Sequence, residues 1–152
     1  MTAALSIPCM GLEFKGHARF APDGAPDARV LGVARKLVVK ITAGEDEPER
    51  CNQAFTVAST AVASGVPVSL WLTGEAAWLG LPGRAEGFSL PHAAPLADLL
   101  ASVLALGTVT VCTQCAARRD ITPQDLIPGI RIAGSATFVS EVVADDAQAL
   151  VY

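Results

Sequence analysis

Cys112-Thr113-Gln114-Cys115-Ala116-Ala117-Arg118-Arg119 is the stretch of this 152-residue chain whose residue types and spacing best support chemistry. Two thiols three residues apart can share one site, and the thiolate is the form that attacks sulfur or binds metal. Loop N–H groups and the guanidinium charges of Arg118 and Arg119 would favour that form at Cys112 and offer a substrate a cationic surface. Cys112 and Cys115 are therefore the candidate catalytic residues, and Arg118 and Arg119 the candidate substrate-binding residues. The plain alternative is that both cysteines are packing residues, since Cys is among the most buried residue types. A zinc site would need two more ligands at suitable spacing, and neither a second C-x-x-C nor a His pair is present, so no metal is expected. A thioredoxin-like dithiol comes nearer. Against it, that motif opens a helix directly after a strand within its own fold pattern, whereas this one follows the third strand.

Other chemistry-bearing residues read more plainly. Cys51 falls near the start of a predicted helix and reads first as a buried helix residue. Cys9 lies in an irregular segment without assignment. His17 and His92 have no partner pattern, and Trp71 and Trp78 read as core or subunit contacts. No Gly-rich phosphate fingerprint follows the first strand. The turn there, Glu45-Asp46-Glu47, would repel a phosphate, so nucleotide cofactors are not supported.

The elements that must position the thiols follow a strand-helix alternation. Lys36-Leu37-Val38-Val39-Lys40-Ile41 suits a buried parallel strand ending at Thr42-Ala43-Gly44. Acidic residues and Pro48 then open a helix that runs to about Ser64. Residues 66–72 form a second strand, residues 75–79 a short helical turn and residues 81–91 a loop. Residues 95–106 are an apolar helix and residues 108–112 a third strand that delivers Cys112 to its carboxyl end, where open parallel sheets bind ligands. Thr122-Pro123-Gln124-Asp125 resembles a capping box and predicts a short helix to about Pro128. Residues 130–132, 134–143 and 147–152 then predict strand, helix and strand. The expected fold class is α/β: a single three-layer domain over residues 36–152 with a mostly parallel sheet of about five strands. It is preceded by an irregular N-terminal extension, residues 1–35, whose Pro- and Gly-rich residues 21–27 are the expected mobile part.

Composition limits the setting. Hydrophobic residues make up 51% and charged residues 17% of the chain, against roughly 25% charged in ordinary domains, which points to surface covered by other subunits or by membrane. Residues 54–72 and 93–111 approach spanning length. Gly65 and Pro67 divide the first and Gly107 the second, so each reads as a helix plus a strand and no membrane span is expected. With net charge −4 and 5% aromatic residues, the electrostatic footprint of a nucleic-acid binder is missing. The N-terminus lacks a basic signal-peptide region, which makes cytoplasm the expected location and the four cysteines free, catalytic or metal-binding residues rather than a disulfide framework.

Strands ending at Thr42-Ala43-Gly44 and Leu72-Thr73-Gly74, then Val109-Thr110-Val111-Cys112-Thr113-Gln114-Cys115 and Arg119-Asp120-Ile121 before Thr122-Pro123, give a chain that resembles the DsrE/DsrF-like family over residues 36–152. The resemblance implies that Cys112 stands where sulfur-relay members carry an active, persulfide-bearing cysteine. It implies that Cys115 is a second cysteine shared by many uncharacterised members, and that subunits assemble as homotrimers or homohexamers. Arg119-Asp120-Ile121 departs from the family's frequent Arg-Gly-Ile, which bears on the turn geometry. The leading expectation is a sulfur carrier or sulfurtransferase. It would pass a persulfide sulfur through Cys112, without a cofactor, between a sulfur donor and an acceptor that can be proteins. A dithiol redox protein using Cys112 and Cys115, or a non-catalytic oligomeric subunit, are the competing classes.

Overall fold

In the computed structural model, which describes residues 36–152, five parallel strands form one sheet in the order β4-β3-β2-β1-β5. The strands are β1 (Lys36–Ile41), β2 (Val68–Leu72), β3 (Thr108–Cys112), β4 (Ile130–Ala133) and β5 (Ala147–Val151). The helices are α1 (Pro48–Ala63), α2 (Arg84–Gly87), α3 (Leu96–Leu106), α4 (Thr113–Ala117) and α5 (Ser135–Val142), with a 3-10 helix at Gly74–Gly80. The expected α/β class and sheet are thus found, with every strand pair parallel. The extension, residues 1–35, lies outside the described residues, and with it Cys9, His17 and the stretch 21–27.

Alternation along the strands separates two unlike faces. Val39, Ile41, Leu70, Leu72, Val109 and Val111 form the main core with the buried stripe Cys51, Ala54, Phe55, Ala58 and Val62 of α1. Its 3- and 4-residue spacings and small alanines let α1 lie close to the sheet and against α3. Pro48 opens α1 where its missing N–H costs nothing, and Gly65 at φ 78 turns the chain away at the other end. The opposite face carries Ser69, Trp71, Thr110, Cys112 and the two lysines of β1. Among the described residues, α5 is the helix bound to it: Glu141 accepts from Ser69 Oγ at 2.5 Å and from Trp71 Nε1 at 3.1 Å.

The chain departs from the sequence expectation in two connections. Residues 84–87 of the predicted loop form the short α2. Thr122 and Asp125 do make the predicted cap, with Asp125 Oδ2 accepting from Thr122 N at 2.8 Å and from Oγ1 at 2.6 Å, yet no helix follows. The Ile127 N–H donates to Gly80 O at 2.9 Å instead of continuing a helical ladder, and Pro128 has no N–H to extend one. Residues 54–72 and 93–111 each divide into helix and strand, and no helix among the described residues is long and apolar enough to cross a membrane.

Candidate functional site

Strand β3 lies between β2 and β4, and its last residue, Cys112, pairs with Ala133. The chain turns at once into α4, with Cys112 in extended backbone at φ −66, ψ 129. The C-x-x-C motif therefore does open a helix directly after a strand, the feature its sequence position had seemed to count against. Cys112 is half-buried. Burial is the largest influence on its thiol and pushes the pKa up, but the N–H groups of Cys115 and Gln114, the Cys115 thiol and the charge of Lys40 together hold it below the ordinary thiol value. The thiol closes no conventional cap hydrogen bond; these donors act on the thiolate.

Cys115 is 8% exposed and accepts a hydrogen bond from the Gly74 N–H at 3.2 Å. That donor is aimed by an interlock of the β1 and β2 ends. Thr73 Oγ1 donates to Ile41 O at 2.8 Å, and the Glu75 N–H to Thr42 O at 3.0 Å. Gly74 has φ +53, and a Cβ there would lie 2.6 Å from Thr42 O; one on Gly44 would lie 2.9 Å from Glu75. The two Thr/Gly strand ends noted in the sequence thus let two loops cross with no side chain between them. Cys112 and Cys115 are both free thiols.

The cation acting on Cys112 is Lys40, whose Nζ lies 5.2 Å from the Phe138 ring centroid on α5. Sequence reading passed over it. The signal was a lysine inside an otherwise apolar strand, on the face that alternation gives to Cys112. Arg118 is exposed. Arg119 binds inward: Nη2 pairs with Glu75 Oε1 at 2.6 Å, Nη1 donates to Cys115 O at 3.3 Å, and the guanidinium lies 5.7 Å from the Trp78 ring centroid. Arg119 thus braces α4 against the 3-10 helix. Asp120 follows at φ +54, a backbone region that favours glycine.

The remaining candidates separate cleanly. Cys51 is fully buried, and burial first, then the charges of Asp46 and Glu45, push its thiol up to about 12. His92 is exposed in a turn at φ 62, and Trp71 is core, edge-on to Phe138. Among the described residues, no three His, Cys, Asp or Glu side chains group to hold a metal ion. An open cleft of about 960 Å3 lies at the ends of β1 and β5, lined by Thr42, Glu47, Arg50, Gln53 and Tyr152 among others. Neither Cys112 nor Cys115 lines it.

Residues 35–148 match the model of the DsrE/DsrF-like family. The chain belongs to the DsrE/DsrF-like family. Among solved structures, the ychN protein from E. coli matches with a TM-score of 0.65 at 20% identity, covering 78% of this chain and 99% of that one. MTH1491 from Methanobacterium thermoautotrophicum matches with a TM-score of 0.54 at 10% identity, covering 77% and 98%. Both likenesses concern the fold. The uncharacterized protein MJ0760 of Methanocaldococcus jannaschii is 28% identical over 106 residues, which span 69% of this chain and 38% of that relative's length. In this DsrE/DsrF-like chain, the paired thiols stand at the carboxyl edge of the sheet.

Proposed function

We propose that this DsrE/DsrF-like protein is a sulfur carrier in which the Cys112 thiolate takes a sulfane sulfur from a donor, holds it as a persulfide and hands it to an acceptor thiol. The observation that carries this reading is the environment of Cys112. It is a half-buried thiol at a strand end whose pKa is lowered against the pull of burial by two backbone N–H groups, a neighbouring thiol and Lys40. A persulfide is also anionic, so the same donors would hold it. Partial burial shields it from stray thiols while leaving one side open to a partner. Lys40 has the charge and position to receive an anionic donor; Arg118, exposed beside the site, is the residue best placed to meet a donor or acceptor protein.

Intact mass after treatment with inorganic polysulfide or thiosulfate tests the reading. On brief exposure with alkylation to trap the adduct, the wild-type protein gains the mass of sulfur on the chain and Cys112→Ala does not; equal gain in both removes Cys112 from the role. A second reading, a dithiol redox protein, is favoured by the free Cys115 thiol set against Cys112. It predicts a product two hydrogens lighter after mild oxidation. Either chemistry calls for a reducing compartment such as the cytoplasm.

The working unit in this proposal is a homotrimer or homohexamer. Val139 on α5 and Val143, which caps its C-terminal end, are 52% and 69% exposed, and Val151 on the edge strand β5 is 66% exposed. These side chains provide apolar surface that a second copy of the chain would cover.

A further inference from the structure

We propose that Cys115 discharges the Cys112 persulfide as hydrosulfide ion, giving the site a sulfide-releasing activity towards sulfane-sulfur donors; this rests on the carrier reading of Cys112. Three observations place the second thiol for that step. Cys115 is buried while Cys112 is half-buried, so Cys112 is the thiol that meets a donor from outside. The Gly74 N–H holds Cys115 Sγ at 3.2 Å, and the glycine that supplies it is locked by the crossing at Thr42. Both thiols are free, and the Cys115 thiol reaches Cys112 as a hydrogen-bond partner. Attack by Cys115 on the inner sulfur, with the outer sulfur as leaving group, is then an ordinary thiol–disulfide exchange.

The step balances within the site. Cys115 Sγ attacks Cys112 Sγ, a Cys112–Cys115 disulfide forms, and the bond from Cys112 Sγ to the outer sulfur breaks. The outer sulfur departs with the bonding pair and takes the Cys115 proton, leaving as hydrosulfide. The sulfane sulfur is reduced to sulfide and the two thiols are oxidised; the negative charge of the persulfide leaves with the product. A small dithiol, by ordinary exchange, returns the protein to its reduced form.

The experiment compares the full-length wild type with Cys115→Ser and Cys115→Ala. Each is loaded with inorganic polysulfide, freed of excess reagent, then read by sulfide assay and intact mass. The wild type is expected to release one sulfide per loaded chain and finish two hydrogens lighter, with the disulfide mapped to Cys112 and Cys115. Both variants should retain the added sulfur and release sulfide only when a dithiol is supplied. A wild-type Cys112 adduct as long-lived as that of the variants overturns the discharge and leaves the carrier reading standing; sulfur mapped first onto Cys115 overturns both. Absence of any adduct in both variants, with native circular dichroism, overturns the carrier reading and the discharge together.

Discussion

Cys112 and Cys51 are the same residue type with opposite prospects, and the difference is the sign of what surrounds each sulfur. At Cys51, burial and two carboxylates all disfavour the thiolate, and the thiol is pushed up to about 12. At Cys112, burial is opposed by N–H donors, a thiol and the Lys40 ammonium, and it loses. Alkylation by iodoacetamide near neutral pH should therefore label Cys112 faster than Cys115 or Cys51, with Cys51 untouched until the protein unfolds. Lys40→Met removes one of the opposing groups. It should move the pH profile of Cys112 alkylation upward and slow the reaction several-fold at pH 7, while leaving the rate at high pH nearly unchanged. A profile indifferent to Lys40→Met would separate the lysine from the sulfur. The Arg118 and Arg119 charges noted in the sequence do not play this part, since Arg119 is turned towards Glu75.

At the level of elements, helix α5 is held to the sheet by Phe138, packed edge-on against Trp71, and by one carboxylate. Glu141, 13% exposed at its side chain, accepts from Ser69, Trp71 and Arg131 and lies 3.8 Å from Lys36 Nζ. Burial pushes its pKa up, but the hydrogen bonds from Ser69 and Trp71 and the charges of Lys36 and Arg131 hold it below the ordinary 4.5. A depressed carboxyl stabilises the fold fully above its unfolded pKa, and that contribution is lost as pH falls through the folded value. Thermal melts should accordingly show the wild type losing stability below about pH 4.5 more steeply than Glu141→Gln. Glu141→Ala, which leaves the Ser69 hydroxyl and the Trp71 N–H without an acceptor, should cost about 2 kcal/mol at neutral pH. Equal acid sensitivity in wild type and Glu141→Gln would remove the carboxylate from this role. The network was illegible in the sequence because it joins residues about seventy positions apart. By contrast, the strands, α1 and α3 were legible, because apolar runs, Pro48 and Gly107 mark them locally. Cys112 was legible too, as a thiol at a strand end. The missing helix after Thr122 shows the limit of local reading: a sound cap was present, but Ile127 bonds Gly80 instead. Lys40 was hidden for a similar reason, since only the sheet order brings β1 within range of the end of β3.

At the scale of the whole molecule, the described residues cover the two faces of the sheet unequally. One is buried under α1 and α3, and α5 on the other has no fully buried residue. The low charged fraction that raised the question of membrane or partner subunits meets a domain whose exposed large apolar side chains include Val139 on α5, Val143 at its C-terminal cap and Val151 on β5. Light scattering should give a trimer or hexamer at micromolar concentration. Val143→Glu, placing a charge on that surface, should shift the mass towards the monomer with little change in secondary structure. A monomeric wild type would contradict the proposed assembly and leave the valines as plain surface. The account as a whole depends on where sulfur first becomes attached. Its most direct test is residue-resolved: the wild type is briefly exposed to polysulfide, persulfides are trapped with an alkylating reagent that preserves the sulfur–sulfur bond, and the peptides are identified by mass. The account predicts the earliest persulfide on Cys112, with Cys51 unmodified; first appearance on Cys115, or equal distribution over all cysteines, would contradict it.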